Sequence, residues 1–96
     1  MKPSEAFNLK RDEIRKTILR YSVINPRVFG SVLHKTDSEN SDLDLLVDAL
    51  PGTTLLDLCR LQEELEDLLG VRVHLLTPGE ISVRFHDKVL AEALPV

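Results

Sequence analysis

Two aspartates, Asp42 and Asp44, stand two positions apart in the run Ser41-Asp42-Leu43-Asp44-Leu45-Leu46-Val47-Asp48, which is otherwise aliphatic. The pattern has the two-residue period of a strand: Leu43, Leu45 and Val47 share one face, while Asp42, Asp44, Leu46 and Asp48 share the other. A strand over 43–50 must therefore bury one side and hold paired carboxylates on the opposite side. At a rise of about 3.3 Å per residue the two carboxylates lie roughly 6.6 Å apart, and at an effective dielectric of about 20 they repel by roughly 2.5 kcal/mol. A divalent cation removes that penalty. Hard ions choose carboxylate oxygens, and magnesium in particular is held by one or two carboxylates together with substrate phosphates. The alternative for an isolated Asp-x-Asp is an exposed strand start that needs no metal.

The neighbouring elements follow from periodicity. Leu9, Ile14, Ile18 and Leu19 predict an amphipathic helix over about residues 9–22, which Asn25-Pro26 then breaks. Arg27-Val28-Phe29 is a short strand that runs into Gly30-Ser31. A helical turn over 32–35 and a polar loop over 36–41 come next. After Pro51-Gly52, Thr54 and Asp57 resemble a capping box, and Leu55, Leu58, Leu61, Leu65 and Leu68 continue a helix that Gly70 can end. Residues 71–76 form a buried-type strand. Thr77, Pro78 and Glu80 open a last helical segment, in which Ile81, Phe85 and Val89 are spaced by four. The order helix, strand, turn, strand, helix, strand, helix predicts an α/β layer: a small mixed sheet covered by helices.

Ninety-six residues, 43% hydrophobic and 29% charged, are consistent with a single domain over 1–96 and one core. No stretch approaches the roughly 20 apolar residues of a membrane span, and the first ten residues hold no signal-peptide core, so a cytoplasmic protein is expected. The net charge of -4 argues against non-specific nucleic-acid binding. The lone Cys59, beside Leu55, Leu56 and Leu58, reads as a buried core thiol. Asp48 reads as a surface or strand-end residue, and Asp37 and Glu39 as solvated loop acids. Val83, Leu94 and Val96 are candidate exposed apolar positions on the last helix for a homodimer or partner face.

Gly30-Ser31 follows a strand and begins a helical turn, where free backbone N–H groups and a hydroxyl can receive phosphate oxygens. Gly30 permits an approach that a Cβ would block. Gly-Ser, ten residues, then Asp-x-Asp is a specific combination, and with it the sequence resembles the minimal nucleotidyltransferase family of the polymerase β-like superfamily. The likeness extends over Arg27-Val28-Phe29-Gly30-Ser31, Ser41-Asp42-Leu43-Asp44-Leu45-Leu46-Val47, Leu68-Leu69-Gly70, Val71-Arg72-Val73-His74-Leu75-Leu76-Thr77-Pro78 and Val89-Leu90-Ala91-Glu92-Ala93.

The resemblance implies a polymerase β-like nucleotidyltransferase fold and transfer of a nucleoside monophosphate, usually AMP from ATP, to a hydroxyl. It implies that Gly30 and Ser31 hold the triphosphate and that Asp42 and Asp44 carry magnesium and serve catalysis. It also implies an antitoxin role beside a HEPN-domain toxin, whose hydroxyl is the acceptor. Two positions depart from the family pattern. His74 stands where the family places a third carboxylate. Imidazole is a poor magnesium ligand, but it can act as a general base, and a satisfied histidine of a buried strand is the further alternative. His34-Lys35 replaces a common Arg-Gly pair, so Lys35 is either a phosphate-binding charge or a solvated side chain. A catalytically weakened binding module that covers its partner is the second functional expectation.

Overall fold

In a computed structural model describing all 96 residues, Met1–Val96, the strand that carries the aspartates spans Leu43–Ala49 (β2). Its companions are β1 (Val23–Phe29), β3 (Val73–Leu76) and β4 (Leu94–Pro95), in the spatial order β3-β2-β1-β4. β1 is antiparallel to both β2 and β4, whereas β2 and β3 run parallel. A parallel pair cannot be joined by a hairpin, and helix α4 (Leu55–Leu69) makes the crossover between β2 and β3. The mixed sheet covered by helices is the architecture expected from the order of elements.

The parity of β2 divides the molecule. Leu43, Leu45 and Val47 are fully buried against Ile14 and Ile18 of helix α2 (Arg11–Leu19) and Leu61 and Leu65 of α4. Each such side chain contributes about 1.5–3 kcal/mol when it leaves water. Helix α1 (Pro3–Leu9) adds Ala6 and Phe7 to this layer. The start of α4 is fixed by the capping box: Thr54 Oγ1 accepts the Asp57 N–H at 3.2 Å, and the Asp57 carboxylate accepts the Thr54 N–H at 2.9 Å. Gly70, at φ +69°, closes the helix in the left-handed region.

Both sheet edges are blunted. On β3 the Val73 N–H donates to Glu66 Oε2 at 3.0 Å, and the Leu75 N–H donates to Gln62 Oε1 at 3.3 Å. The Thr77 N–H beyond the strand donates to Glu80 at 3.0 Å. At the other edge β4 is two residues long, and one of them is Pro95.

Several expectations are corrected. The N-terminal helical region is two helices: α1 starts at Pro3, and Lys10 (φ -117°, ψ 28°) separates it from α2. Phe7 replaces Leu9 in the core, and Leu9 and Leu19 are exposed. Asn25-Pro26 does not end an element but lies inside β1. There Asn25 takes φ +56° and the pairing with β2 shifts register, so the break signal marks a bulge. Cys59 is exposed, because α4 turns Leu61, Leu65 and Leu69 inward and leaves Leu55, Leu56 and Cys59 outside. The last segment is not one helix: a 3-10 turn (Pro78–Glu80) is followed by α5 (His86–Glu92). Val83, Leu94 and Val96 form no single helical face, since Val83 precedes α5, Leu94 lies in β4 and Val96 packs on the core. No helix is long and apolar enough to cross a membrane.

Candidate active site

Asp44 is the centre of a row that crosses the sheet, with Phe29 of β1 on one side and His74 of β3 on the other. β1 ends at Phe29, and the chain turns at once into α3 (Gly30–His34). Gly30 has φ +71°, and a Cβ built there would stand 2.1 Å from Asp44 Oδ2. Glycine is required twice over, by the backbone conformation and by the carboxylate lying against it. The turn and the aspartate are thus brought into contact by strand pairing alone. Ser31 is the second residue of α3, so its amide begins the helix with no carbonyl four residues earlier inside it.

The other oxygen of Asp44 lies 3.2 Å from His74 Nδ1. Burial raises the Asp44 pKa above the ordinary 3.8; the hydrogen bond and charge of His74 oppose the rise, and the negative charge of Asp42 adds to it. Asp42 is therefore close enough for its charge to act on Asp44, as the sequence spacing requires. His74 is exposed and points toward this row, which rules out the alternative of a histidine sequestered in a buried strand.

Asp42 directly precedes β2, and the parallel register places Arg72 opposite it. Arg72 Nε lies 2.9 Å from Asp42 Oδ1, which makes an ion pair. The direction of approach is not that of a hydrogen bond, and Asp42 Oδ1 is shielded from solvent without a hydrogen-bond partner. A carboxylate oxygen that is both shielded and unsatisfied suits a cation. Asp42, Asp44 and His74 do not close into a three-ligand set. The donors present are two hard carboxylates beside an open turn, which fits magnesium that completes its octahedron with phosphates and water better than it fits a protein-enclosed ion.

A cavity of about 460 Å³ opens beside the row, walled by Phe29, Gly30, His74, Leu76 and Phe85. His34 of α3 and Glu92 of α5 close its rim, with His34 Nε2 2.8 Å from Glu92 Oε2. Lys35 does not line this cavity. It lines a separate groove with Lys2, Arg11 and Asp37, and it adopts φ +60° as the C-cap of α3. The glycine that the resemblance implies at this position would suit that backbone conformation. Asp48, expected at a surface or strand end, is held by Arg27 at 2.8 Å and Asn25 at 3.1 Å.

Arg72, His34 and Glu92 escaped the sequence reading as site residues. Arg72 was accessible in principle: Arg72 and His74 have the same spacing as Asp42 and Asp44, so a parallel neighbour in register pairs them one to one. The His34–Glu92 contact joins residues 58 positions apart and had no local signal.

A four-stranded mixed sheet with a Gly-Ser turn laid against paired aspartates defines a nucleotide-transfer domain. The comparisons agree. The family described as "Nucleotidyltransferase domain" matches residues 11–96, and the chain belongs to it, in its minimal nucleotidyltransferase group. Protein MJ0435 of Methanocaldococcus jannaschii, provisionally named a protein adenylyltransferase, is 39% identical over 90 residues, covering 94% of this chain and 97% of its own. Protein adenylyltransferase MntA of Thermococcus cleftensis is 38% identical over 77 residues, covering 80% and 78%. A solved structure described provisionally as a minimal nucleotidyltransferase superposes with TM-score 0.85 at 41% identity, covering 97% of this chain and 95% of that one. A toxin-antitoxin structure with AMP-PNP shares the fold at TM-score 0.74 and 22% identity, covering 88% and 69%.

Proposed function

We propose that this chain transfers AMP from ATP to a hydroxyl of a partner protein, a HEPN-domain toxin that it thereby neutralises. The observation that carries the reading is the placement of Asp44 against Gly30, with the unsatisfied oxygen of Asp42 beside it. Relatives named protein adenylyltransferases and the toxin-antitoxin structures of the same fold support the choice of acceptor.

Gly30 and Ser31 receive the triphosphate at the start of α3, and the missing Cβ leaves room for the Asp44 carboxylate to lie directly against that turn. Asp42 and Asp44 hold magnesium, which when bound neutralises charge that develops at the α-phosphate. Transfer of this kind is accelerated mainly by positioning and electrostatics, so a rigid strand that presents both carboxylates is the principal requirement. His74 Nδ1, already turned to Asp44, is placed to hold that carboxylate, which leaves Nε2 as the ring nitrogen able to take the proton of the attacking hydroxyl. The acceptor comes from another protein, as the relatives named protein adenylyltransferases support.

The test is transfer of label from ATP marked on its α-phosphate, with magnesium, to the protein encoded beside this chain. Labelled partner is expected; no transfer across several metals and nucleotides overturns the reading. The exposed His74 at the position of the family's third carboxylate favours one alternative, a module that inhibits by covering its partner. On that alternative Asp42→Ala leaves neutralisation intact and His74→Asp raises transfer. Loss of neutralisation in a folded, partner-binding Asp42→Ala protein excludes it.

A further inference from the structure

β3 and the residue just before it present a basic side chain to each aspartate, His74 to Asp44 and Arg72 to Asp42, and the two pairs are not equivalent. His74 makes a hydrogen bond to Asp44, which is largely enclosed, whereas Arg72 meets Asp42 at an exposed margin, with 69% of its own side chain open to solvent. The guanidinium is anchored at its far end, where Arg72 Nη2 donates to the Asn40 carbonyl of the loop before β2. It reaches Asp42 Oδ1 without satisfying it. We propose that Arg72 is a displaceable counter-ion and positioning residue: it neutralises Asp42 in the empty site, yields it to the metal, and then turns its fork to the incoming triphosphate. This rests on the reading of Asp42 and Asp44 as the metal-nucleotide carboxylates.

The charges explain why one residue serves both states. Without ligand, two neighbouring carboxylates need a cation, and an exposed arginine supplies one weakly enough to be displaced. With metal and triphosphate present the site gains more negative than positive charge, and a planar guanidinium bound to nothing but a loop carbonyl can take phosphate oxygens in a two-pronged contact. Lys35, the other candidate by sequence, faces a different groove. Arg72 also joins the loop to the site, so its departure from Asp42 leaves the loop anchor in place.

The two roles predict effects of opposite sign. Manganese(II) binding is measured by electron paramagnetic resonance without nucleotide, and binding of a non-hydrolysable ATP analogue with magnesium is measured by calorimetry. Arg72→Ala is expected to bind manganese roughly two- to fivefold more tightly, the worth of an exposed ion pair. It should bind the magnesium-dependent analogue on the order of tenfold more weakly, as for loss of a charge-assisted hydrogen bond. Arg72→Lys should retain the competition with metal and recover only part of the nucleotide affinity. Arg72→Gln keeps a neutral donor for Asn40 and should behave as Arg72→Ala even if the latter folds poorly. Arg60→Ala removes the same charge from the exposed side of α4 and should change neither affinity appreciably.

Unchanged affinities in the folded Arg72 variants, shifts of the same sign, or equal shifts in Arg60→Ala overturn this inference alone. A wild-type protein that binds neither manganese nor the magnesium-dependent analogue overturns the reading of the site as well.

Discussion

The two faces of β2 obey different rules although they alternate along one strand. On the inner face Leu43, Leu45 and Val47 are sealed by helices in a core that is aliphatic apart from Phe7 and the partly buried Tyr21. On the outer face Asp44 is largely enclosed near the Asp42 carboxylate, and its charge is disfavoured where it sits. The inner face gains stability from each residue it covers. The outer face gives some of that stability up, because a group raised in pKa by burial is one the fold would rather see neutral. Strand pairing ties the faces together, so the core that anchors Leu45 also holds Asp44 over Gly30.

The sharpest way to break this contrast is to cut into the inner face. Leu45→Ala should cost about 2–5 kcal/mol in urea unfolding, with site geometry lost only as the protein unfolds. Asp44→Asn should do the reverse: AMP transfer falls on the order of 100-fold or more, while the thermal midpoint at neutral pH stays level or rises. The pH dependence follows from the raised pKa. The folded protein holds the Asp44 proton more tightly than the unfolded chain, so wild type gains stability as pH falls through the folded value toward 3.8. The advantage of Asp44→Asn should shrink over that window and vanish below it, and an advantage that grows on acidification would contradict the account.

Gly30→Ala sits where the faces meet the turn. A left-handed alanine costs about 1–2 kcal/mol, and its Cβ must push Asp44 aside, so transfer should fall by more than stability does. Equal losses would reduce Gly30 to a backbone requirement. The smallest effect belongs to a site remote from both faces: Thr54→Ala should cost about 1 kcal/mol through the lost cap of α4 and leave nucleotide binding unchanged.

The elements legible in the sequence were those whose signals are local. β2 and α4 combine strict periodicity with a Pro51-Gly52 turn, a Thr54-Asp57 cap and a Gly70 stop, and their boundaries emerged nearly as read. The contact of Gly30 with Asp44 follows from pairing two strands that the sequence already marked. Periodicity failed where tertiary pairing overrode local preference: β1 passes through Asn25-Pro26 by bulging, and Ile81, Phe85 and Val89 keep a helical spacing although residues 81–85 are not helical. Cys59 misled because its leucine neighbours looked like a core when Leu55 and Leu56 are themselves exposed. Lys35 sits beside the turn in sequence, yet the left-handed end of α3 carries it to another groove.

The side chains of Gln62 and Glu66 occupy outward amides of β3, Glu80 takes the Thr77 amide just beyond it, and proline shortens the opposite border. A guest chain therefore finds no ladder to extend on β3, neither from a sister copy nor from a foreign strand. A partner docking along this border must be told apart by shape and charge, which ties selectivity there to substitutable surface positions and removes a template for fibres.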